Sequence, residues 1–328
     1  MRRHAHAVSG AIAAATMLLA AAPLAATAEP DDPACPTPVA GVLEAADAEG
    51  INVLDCGFED LRIDVDGSVS VVPEPGVTVT MEAAAGPGTD QPVGYSIAVD
   101  ADGIVAVTEG DLAPTVETSS QEGSGDTPAA SYDRCGQGGT WVNGWKWQPT
   151  RGFTLNVRDW GLPSGVSLTA WNDIVDKAQW TIDRGITSCS FSNGFVLDIA
   201  LVLGSDRTEQ VGPDMGCGER DGYSSIGFGP IDGGIVGATC TWRSSTRLLE
   251  ADIRMDNSNR RWSASSASCS QAMDLRTVAT HELGHAVGLS HQGEYGHGDL
   301  TMSPTMRNCE VIQRQLGYGD LVSLRHHY

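Results

Sequence analysis

The sequence predicts an α+β protein in which a small, acidic, β-rich region precedes a larger domain that mixes strands with three helices. Charge supports this division, because residues 29–126 carry 21 acidic and one basic residue, whereas residues 131–328 carry 21 acidic and 17 basic residues. The first region alternates apolar and polar residues, while the second adds apolar residues at helical spacing. With 41% hydrophobic residues among 328, the chain can bury a sizeable core.

Residues 1–28 have the features of a secretory signal peptide, so they are left out of the predicted fold. Arg2 and Arg3 precede a short apolar run at 11–22, and the small residues at 26–28 offer a cleavage site. An uncleaved membrane anchor is the alternative, but the run is short and only weakly apolar. We therefore expect a secreted, extracellular protein with no membrane contact after signal cleavage.

Short strands joined by tight turns are predicted for the acidic region, residues 29–112. Three segments alternate apolar and polar residues, as half-buried strands do: 51–53, 61–65 and 77–80. Asp-Gly pairs, which are typical of hairpin turns, occur at 66–67 and 102–103. The alternation and the turns together indicate a small β-rich unit, which a disulfide between Cys35 and Cys56 would cross-link.

The larger domain, residues 132–328, is predicted to contain strands near 153–157, 195–203, 234–242 and 250–256. Apolar residues at steps of three and four predict a helix across 168–182. A second helix is predicted to begin after Asp274 and a third after Asp320, with each aspartate as the N-cap. The Gly- and Asp-rich stretch 204–229 is predicted to be a loop.

The second helix carries a zinc-site pattern, in which His281, Glu282 and His285 are followed by Gly288 and His291. Residues four apart point to the same side of a helix, so His281 and His285 can bind one zinc ion. Gly288 tolerates the positive φ that ends the helix and allows His291 to return to the metal. Three protein ligands leave a fourth position for water, as in catalytic zinc sites.

Glu282 is the candidate catalytic base, because a carboxylate next to His281 can reach a zinc-bound water without ligating the metal. Zinc lowers the pKa of such a water to about 7, and the carboxylate can pass its proton to the leaving amine. Six of the eight histidines follow position 280 and the other two lie in the signal segment, which is not the scatter of core histidines. A surface helix with coincidental spacing is therefore disfavoured.

Residues 281–291 resemble the extended zinc-binding signature of the metzincins, H-E-x-x-H-x-x-G-x-x-H. The segment Thr-Met-Ser-Pro at 301–304 resembles the metzincin Met-turn, which implies that Met302 lies beneath the zinc, with Met306 as a weaker candidate. Pro304 is similar to the matrixin branch of the metzincins, which includes the matrix metalloproteinases. It stands where related branches carry a tyrosine, so a tyrosine fifth ligand is not expected.

The resemblance extends more loosely over residues 150–328 and implies a metzincin/matrixin-like fold, a twisted mixed sheet with three helices. It implies one catalytic Zn²⁺ ion, while the histidines of a second, structural zinc are missing. It also implies an edge strand that pairs antiparallel with bound substrate, formed here by Gly234, Ile235, Val236, Gly237 and Ala238. Structural Ca²⁺ is weighed against a merely solvated acidic loop around Asp214, Asp221 and Asp232.

Arg134-Cys135-Gly136 resembles part of the matrixin cysteine switch, in which a propeptide thiolate blocks the zinc. The prolines and the aspartate that surround the switch are absent here, and the eight cysteines can pair evenly. We therefore predict that Cys135 forms a structural disulfide, with a partner that the sequence leaves open.

Residues 113–131 are predicted to be a linker, because they are rich in Ser, Thr, Gly, Pro and Glu and show no apolar period. Exposed chain of this kind is readily cut by proteases. Residues 29–130, which lie between a signal peptide and the larger domain, are interpreted as a removable pro-region that keeps the enzyme latent. The alternative is a permanent acidic region that aids solubility or folding during export.

The sequence thus predicts a secreted zinc-dependent endopeptidase, monomeric, whose partner is a protein or peptide substrate. A net charge of −22 without a basic patch argues against a nucleic-acid partner. Two alternatives remain: a secreted binding or adhesion module that keeps a metal without catalysis, and a zinc hydrolase of cell-wall peptides. The presence of Glu282 argues against the first alternative, and the motif alone does not separate the second from a protein-cleaving enzyme.

Overall fold

The predicted signal peptide and linker both lie outside the residues that the structure describes. The structure, a computed structural model, describes residues 35–328 except 59, 90–93, 111–133, 137–141, 143, 149–151, 192–195, 246, 259, 266, 268 and 293–298. Residues 35–328 form one compact unit. None of the helices in this described part has the length and apolar character needed to cross a bilayer.

In the part that the structure describes, the acidic region forms six strands and two single-turn helices. In chain order these are β1 (Val42–Glu44), α1 (Ala45–Ala48), α2 (Val53–Cys56), β2 (Arg62–Val65), β3 (Ser68–Val71), β4 (Thr78–Ala85), β5 (Gly94–Val99) and β6 (Val105–Glu109). The strand predicted at 51–53 is wrong, because the Asn52 side chain accepts hydrogen bonds from the next backbone N–H groups and caps α2 instead. Strands β1, β2 and β3 form a small sheet of their own.

The larger domain supplies the remaining strands and three longer helices, as predicted. These elements are β7 (Thr154–Arg158), α3 (Leu168–Arg184), β8 (Ala200–Ser205), β9 (Ser224–Gly229), β10 (Ile235–Arg243), β11 (Leu248–Asp256), β12 (Trp262–Ser263), β13 (Met273–Asp274), α4 (Leu275–Ala286) and α5 (Tyr318–His327). The loop predicted across 204–229 ends early, because its last six residues form β9, buried along its whole length. Four of the six residues of β9 are Ser or Gly, which weakens the apolar signal of a strand but lets β9 fit between neighbouring strands.

The main sheet has eight strands in the order β6-β5-β4-β10-β11-β9-β7-β8. Strands β11, β9, β7 and β8 run parallel, whereas β10 runs antiparallel to β11, so the sheet is mixed, as the resemblance to matrixins implied. Strand β4 from the acidic region pairs antiparallel with β10 on its other side. The two predicted regions therefore share one sheet, and the boundary between them stays a prediction of the sequence.

Two apolar clusters cover the two faces of this sheet. Helices α3 and α4 pack on one face, where Trp171, Phe228 and Leu283 are buried. On the other face, strands of the acidic region pack against Cys240 and Trp242 of β10. Burial of this apolar area is the main stabilising contribution to the fold, and it joins the acidic region to the larger domain.

All eight cysteines are paired. The disulfides join Cys35–Cys56, Cys135–Cys189, Cys217–Cys240 and Cys269–Cys309. The Cys35–Cys56 bond closes the acidic region as expected, and the predicted structural disulfide of Cys135 is confirmed, which removes the cysteine-switch alternative. Four disulfides are compatible with an extracellular protein.

Candidate metal centre and active site

Helix α4 is fixed at its start by Asp274, the N-cap that the sequence predicted. The Asp274 side chain accepts a hydrogen bond from the backbone N–H of Thr277 at 2.9 Å. It also forms a partly buried ion pair with Arg314, whose Nε lies 2.8 Å from Asp274 Oδ1. A capped, anchored helix holds the side chains that project from its later turns in fixed positions.

The end of α4 depends on Gly288, where φ is +91°. Its backbone N–H donates to the His285 carbonyl at 2.8 Å. A Cβ at this position would lie 2.5 Å from the Trp145 carbonyl oxygen and 2.6 Å from His327 Nε2, so both the backbone conformation and the space require glycine. The turn sends the chain back toward the helix and carries His291 to the same side as the two helical histidines.

The rings of His281, His285 and His291 converge. Nε2 of His285 lies 3.0 Å from Nε2 of His281 and 3.2 Å from Nε2 of His291. In the described part of the chain these residues are the one group of three or more possible metal ligands, and their ligand atoms all lie within 4.8 Å of one another. Such spacing suits three nitrogen ligands of a single ion bound at about 2.0–2.1 Å.

The other nitrogen of two of these rings is committed to a backbone carbonyl. His281 Nδ1 lies 2.7 Å from the Thr301 oxygen, and His285 Nδ1 lies 2.8 Å from the Leu289 oxygen. A carbonyl only accepts, so each Nδ1 carries the hydrogen and each Nε2 can present its lone pair. Converging lone pairs repel one another unless a cation lies between them, and this donor set fits Zn²⁺.

Burial and charge act differently on the two helical histidines. Burial lowers the pKa of His281 well below its usual range, and the neighbouring histidines act in the same direction. Burial also disfavours the charged form of His285, but the carboxylates of Glu82 and Glu282 outweigh it and raise the pKa of His285 to about 9. The two buried carboxylates thus favour positive charge at His285, which a proton supplies in the metal-free protein and a bound cation would supply in its place.

Glu282 sits one residue beyond the first ligand and is completely buried. Its Oε2 accepts a hydrogen bond from Thr239 Oγ1 at 2.6 Å, whereas Oε1 has no hydrogen-bond partner among the described residues. Burial raises the pKa of the Glu282 carboxyl to about 7. A Cβ placed on Gly237 would approach Glu282 Oε1 to 2.5 Å, so β10 runs directly beside the carboxylate.

Met302 is buried and packs against the helix backbone, since a Cβ added at Gly284 would overlap its sulfur. The segment around it is held by Asp320, whose carboxylate accepts backbone hydrogen bonds from Thr301 at 2.9 Å and Met302 at 3.1 Å. Asp320 also accepts from the N–H of Gly317 at 2.7 Å. The prediction of Asp320 as N-cap is wrong, because Gly317 takes that position and Asp320 reaches back to it from within α5.

The comparison with known families agrees with this geometry. The Matrixin peptidase family model matches residues 229–328. Residues 229–328 are therefore similar to the matrixins, and this match covers less than a third of the chain. No curated protein sequence matches the chain.

The matched segment contains β10, β11, α4, α5 and all three histidines, and the similarity supports a zinc metallopeptidase in general. The other predicted site residues lie around the same centre. Ile235, Val236, Gly237 and Ala238 belong to β10, whereas Gly234 lies just before it, and Pro304 follows Met302 along the chain. The roles assigned to these residues stay predictions.

Sequence reasoning missed three residues that touch the site. Thr239 binds Glu282, and Glu82 of β4 places its Oε2 3.3 Å from His285 Nδ1. The backbone amide of Ala84, also in β4, is close enough to Glu282 to favour its ionised form. None of the three belongs to the zinc signature, and Glu82 and Ala84 lie about 200 positions before it, so only the strand pairing could have found them.

The three aspartates considered as calcium ligands lie away from the histidine group. Asp214 accepts a hydrogen bond from the backbone N–H of Val69 and Asp221 one from that of Tyr223, while Asp232 joins no group of three ligands in the described part. Calcium in this loop therefore stays a prediction.

Proposed function

We propose that this chain is a secreted zinc-dependent endopeptidase that hydrolyses peptide bonds with Glu282 as its general base. The observation that carries the proposal is the convergence of three Nε2 atoms beside a buried carboxylate. Four disulfides and the absence of a membrane-crossing helix in the described part agree with export.

His281, His285 and His291 would hold one zinc ion. Bound zinc supplies a Lewis acid that polarises the scissile carbonyl and makes a water acidic near neutral pH. His281 and His285 are oriented for this role by their Nδ1 hydrogen bonds to Thr301 and Leu289. Partners of this kind fix the tautomer and the direction of a ligating ring.

Glu282 takes the proton of the attacking water at a carboxylate oxygen and delivers it to the nitrogen of the leaving amine. Thr239 holds Oε2, which leaves Oε1 as the oxygen available for this transfer. Strand β10 lies beside Glu282 and would align an extended peptide by backbone hydrogen bonds, as the resemblance to matrixins implies. The substrate is then a protein or peptide in extended conformation, and the enzyme is proposed to act as a monomer.

The test compares two substrate classes. The secreted chain, before and after limited proteolysis in 113–131, is incubated with an internally quenched protein such as casein and with purified peptidoglycan. We expect cleavage at internal peptide bonds of the protein, with new amino termini identified by mass spectrometry. Release of fragments from peptidoglycan alone would contradict the proposal and favour hydrolysis of cell-wall peptides.

A further inference from the structure

Strand β10 has a partner on the side where a bound peptide would be expected. Strand β4 of the acidic region pairs with it antiparallel, in a register that runs from Ile235 opposite Ala85 to Arg243 opposite Thr78. The pairing extends along the whole of β10. The backbone groups that β10 could offer to an added strand are therefore used within the chain.

The C-terminal end of β4 is bound from its other side as well. The backbone N–H of Ala85 donates to the Pro304 carbonyl at 2.9 Å, and the N–H of Met306 donates to the Ala85 carbonyl at 2.9 Å. Ala85 thus forms a parallel bridge with Thr305, in the segment that follows Met302. The end of β4 therefore lies between β10 and this segment.

Alternate side chains of β4 face the catalytic groups. Glu82 is 2% exposed and approaches His285, and Ala84 is wholly buried in the same cluster as the residues of α4. Met81, Ala83 and Ala85 point the other way, into the cluster that holds the acidic region together. The strand therefore presents one face to the metal site and anchors itself with the opposite face.

The catalytic groups are buried in this arrangement. His281, Glu282 and His285 are 0% exposed and His291 is 4% exposed. A peptide substrate needs access to these groups and to the backbone of β10. With β4 in place, the peptide can reach neither the catalytic groups nor the backbone of β10.

We propose that β4 is an intramolecular occupant of the peptide-binding edge, and that the acidic region keeps the peptidase latent until it is cut from the larger domain and released. The inference rests on the proposed function. Antiparallel pairing along β10 and contact with Glu282 and His285 are what a bound peptide would make. Latency here needs no cysteine, because Cys135 is bonded to Cys189.

The direct test introduces a site-specific protease sequence into residues 113–131 of the full chain. Zinc content and hydrolysis of a quenched peptide are measured before cleavage, after cleavage, and after the fragments are separated by gel filtration. While it is tethered, the acidic region acts at an effective concentration of about 1 mM. Release of the region and dilution to micromolar protein remove this advantage. We expect hydrolysis to increase at least ~10-fold on release.

A pair of substitutions tests β4 in the uncut chain. Ala84→Asp places a second carboxylate against Glu282 and should loosen β4, so that the uncut chain gains activity. Ala106→Asp makes the same change at an exposed position of β6 and should leave the uncut chain latent. Thermal unfolding monitored by circular dichroism verifies that both variants are folded.

A peptide with the sequence of residues 78–85 serves if the Ala84 variant does not fold. Added to the released enzyme, it should inhibit hydrolysis in competition with substrate, whereas a scrambled peptide should not. Failure of the native sequence to inhibit at millimolar concentration would contradict the proposal.

Binding of a peptide hydroxamate, measured by calorimetry, reports access to the metal site without turnover. We expect binding to the released enzyme and none to the uncut chain. If both forms hydrolyse peptide at the same measurable rate, or bind hydroxamate equally, latency is overturned and β4 is a permanent strand. If only the released form binds hydroxamate but neither form hydrolyses peptide, latency stands and the proposed function fails.

Discussion

Glu282→Ala should abolish peptide hydrolysis by the released enzyme while the protein keeps about one zinc ion per chain. The carboxylate is the group placed to move the proton, and general acid–base catalysis contributes about 10²–10⁴-fold to such reactions. The three histidines and their Nδ1 partners are unchanged in this variant, so the affinity for zinc should be nearly that of wild type. Initial rates on a quenched peptide and metal analysis of the same samples measure both quantities.

The matched control is Glu219→Ala, which removes an exposed glutamate from the same domain. This variant should retain wild-type rates. If the Glu282→Ala variant hydrolysed peptide at the wild-type rate, another group would have to move the proton. If this variant lost zinc, Glu282 would belong to the ligand set.

His285→Ala should lose both the metal and the activity. This residue contributes the central Nε2, which lies 3.0 Å and 3.2 Å from the Nε2 atoms of the other two histidines. Loss of an outer partner of a metal ligand commonly lowers metal affinity about 10–100-fold, and loss of the ligand itself should cost at least that much. Titration with zinc in a metal buffer measures the dissociation constant.

His326→Ala is the control for this substitution. His326 is exposed on α5, so its replacement removes an imidazole without changing the metal site. It should bind zinc as wild type does. A His285→Ala protein with unchanged zinc affinity would mean that the metal is held elsewhere.

The local sequence was enough to predict that the three histidines come together. A period of 3.6 residues places His281 and His285 on one side of a helix whatever the rest of the chain does, and Gly288 has the positive φ that the pattern required. Asp274 caps α4 for an equally local reason. Both of these features are set by neighbours along the chain, and both were predicted correctly.

Features set by distant pairing were not. The alternation at 77–80 predicted a half-buried strand, but β4 is longer and buried on both faces because β5 and β10 flank it and both clusters cover it. The sequence of β4 does not indicate which strand it will pair with. Strand β9 was missed for a related reason, since its Ser and Gly residues become strand only when β7 and β11 pair with them.

The sequence identified Asp320 as a residue of structural importance but did not reveal its role. Its position near the start of α5 favoured an N-cap, yet its carboxylate is wholly buried and accepts backbone hydrogen bonds from Thr301 and Met302 as well as from Gly317. Through Thr301 it supports the carbonyl that orients His281. This chain of contacts joins α5 to the metal centre across about 40 residues and has no local signature.

The most direct test of the zinc-peptidase account is the dependence of hydrolysis on bound zinc in the released wild-type enzyme. The metal is removed with a chelator, zinc is returned in measured steps, and the rate on a quenched peptide is recorded at each step. The account predicts no hydrolysis without metal and a rate that rises in proportion to bound zinc until one ion per chain is reached. Hydrolysis that persists in the metal-free protein, or that does not return with one zinc per chain, would contradict it.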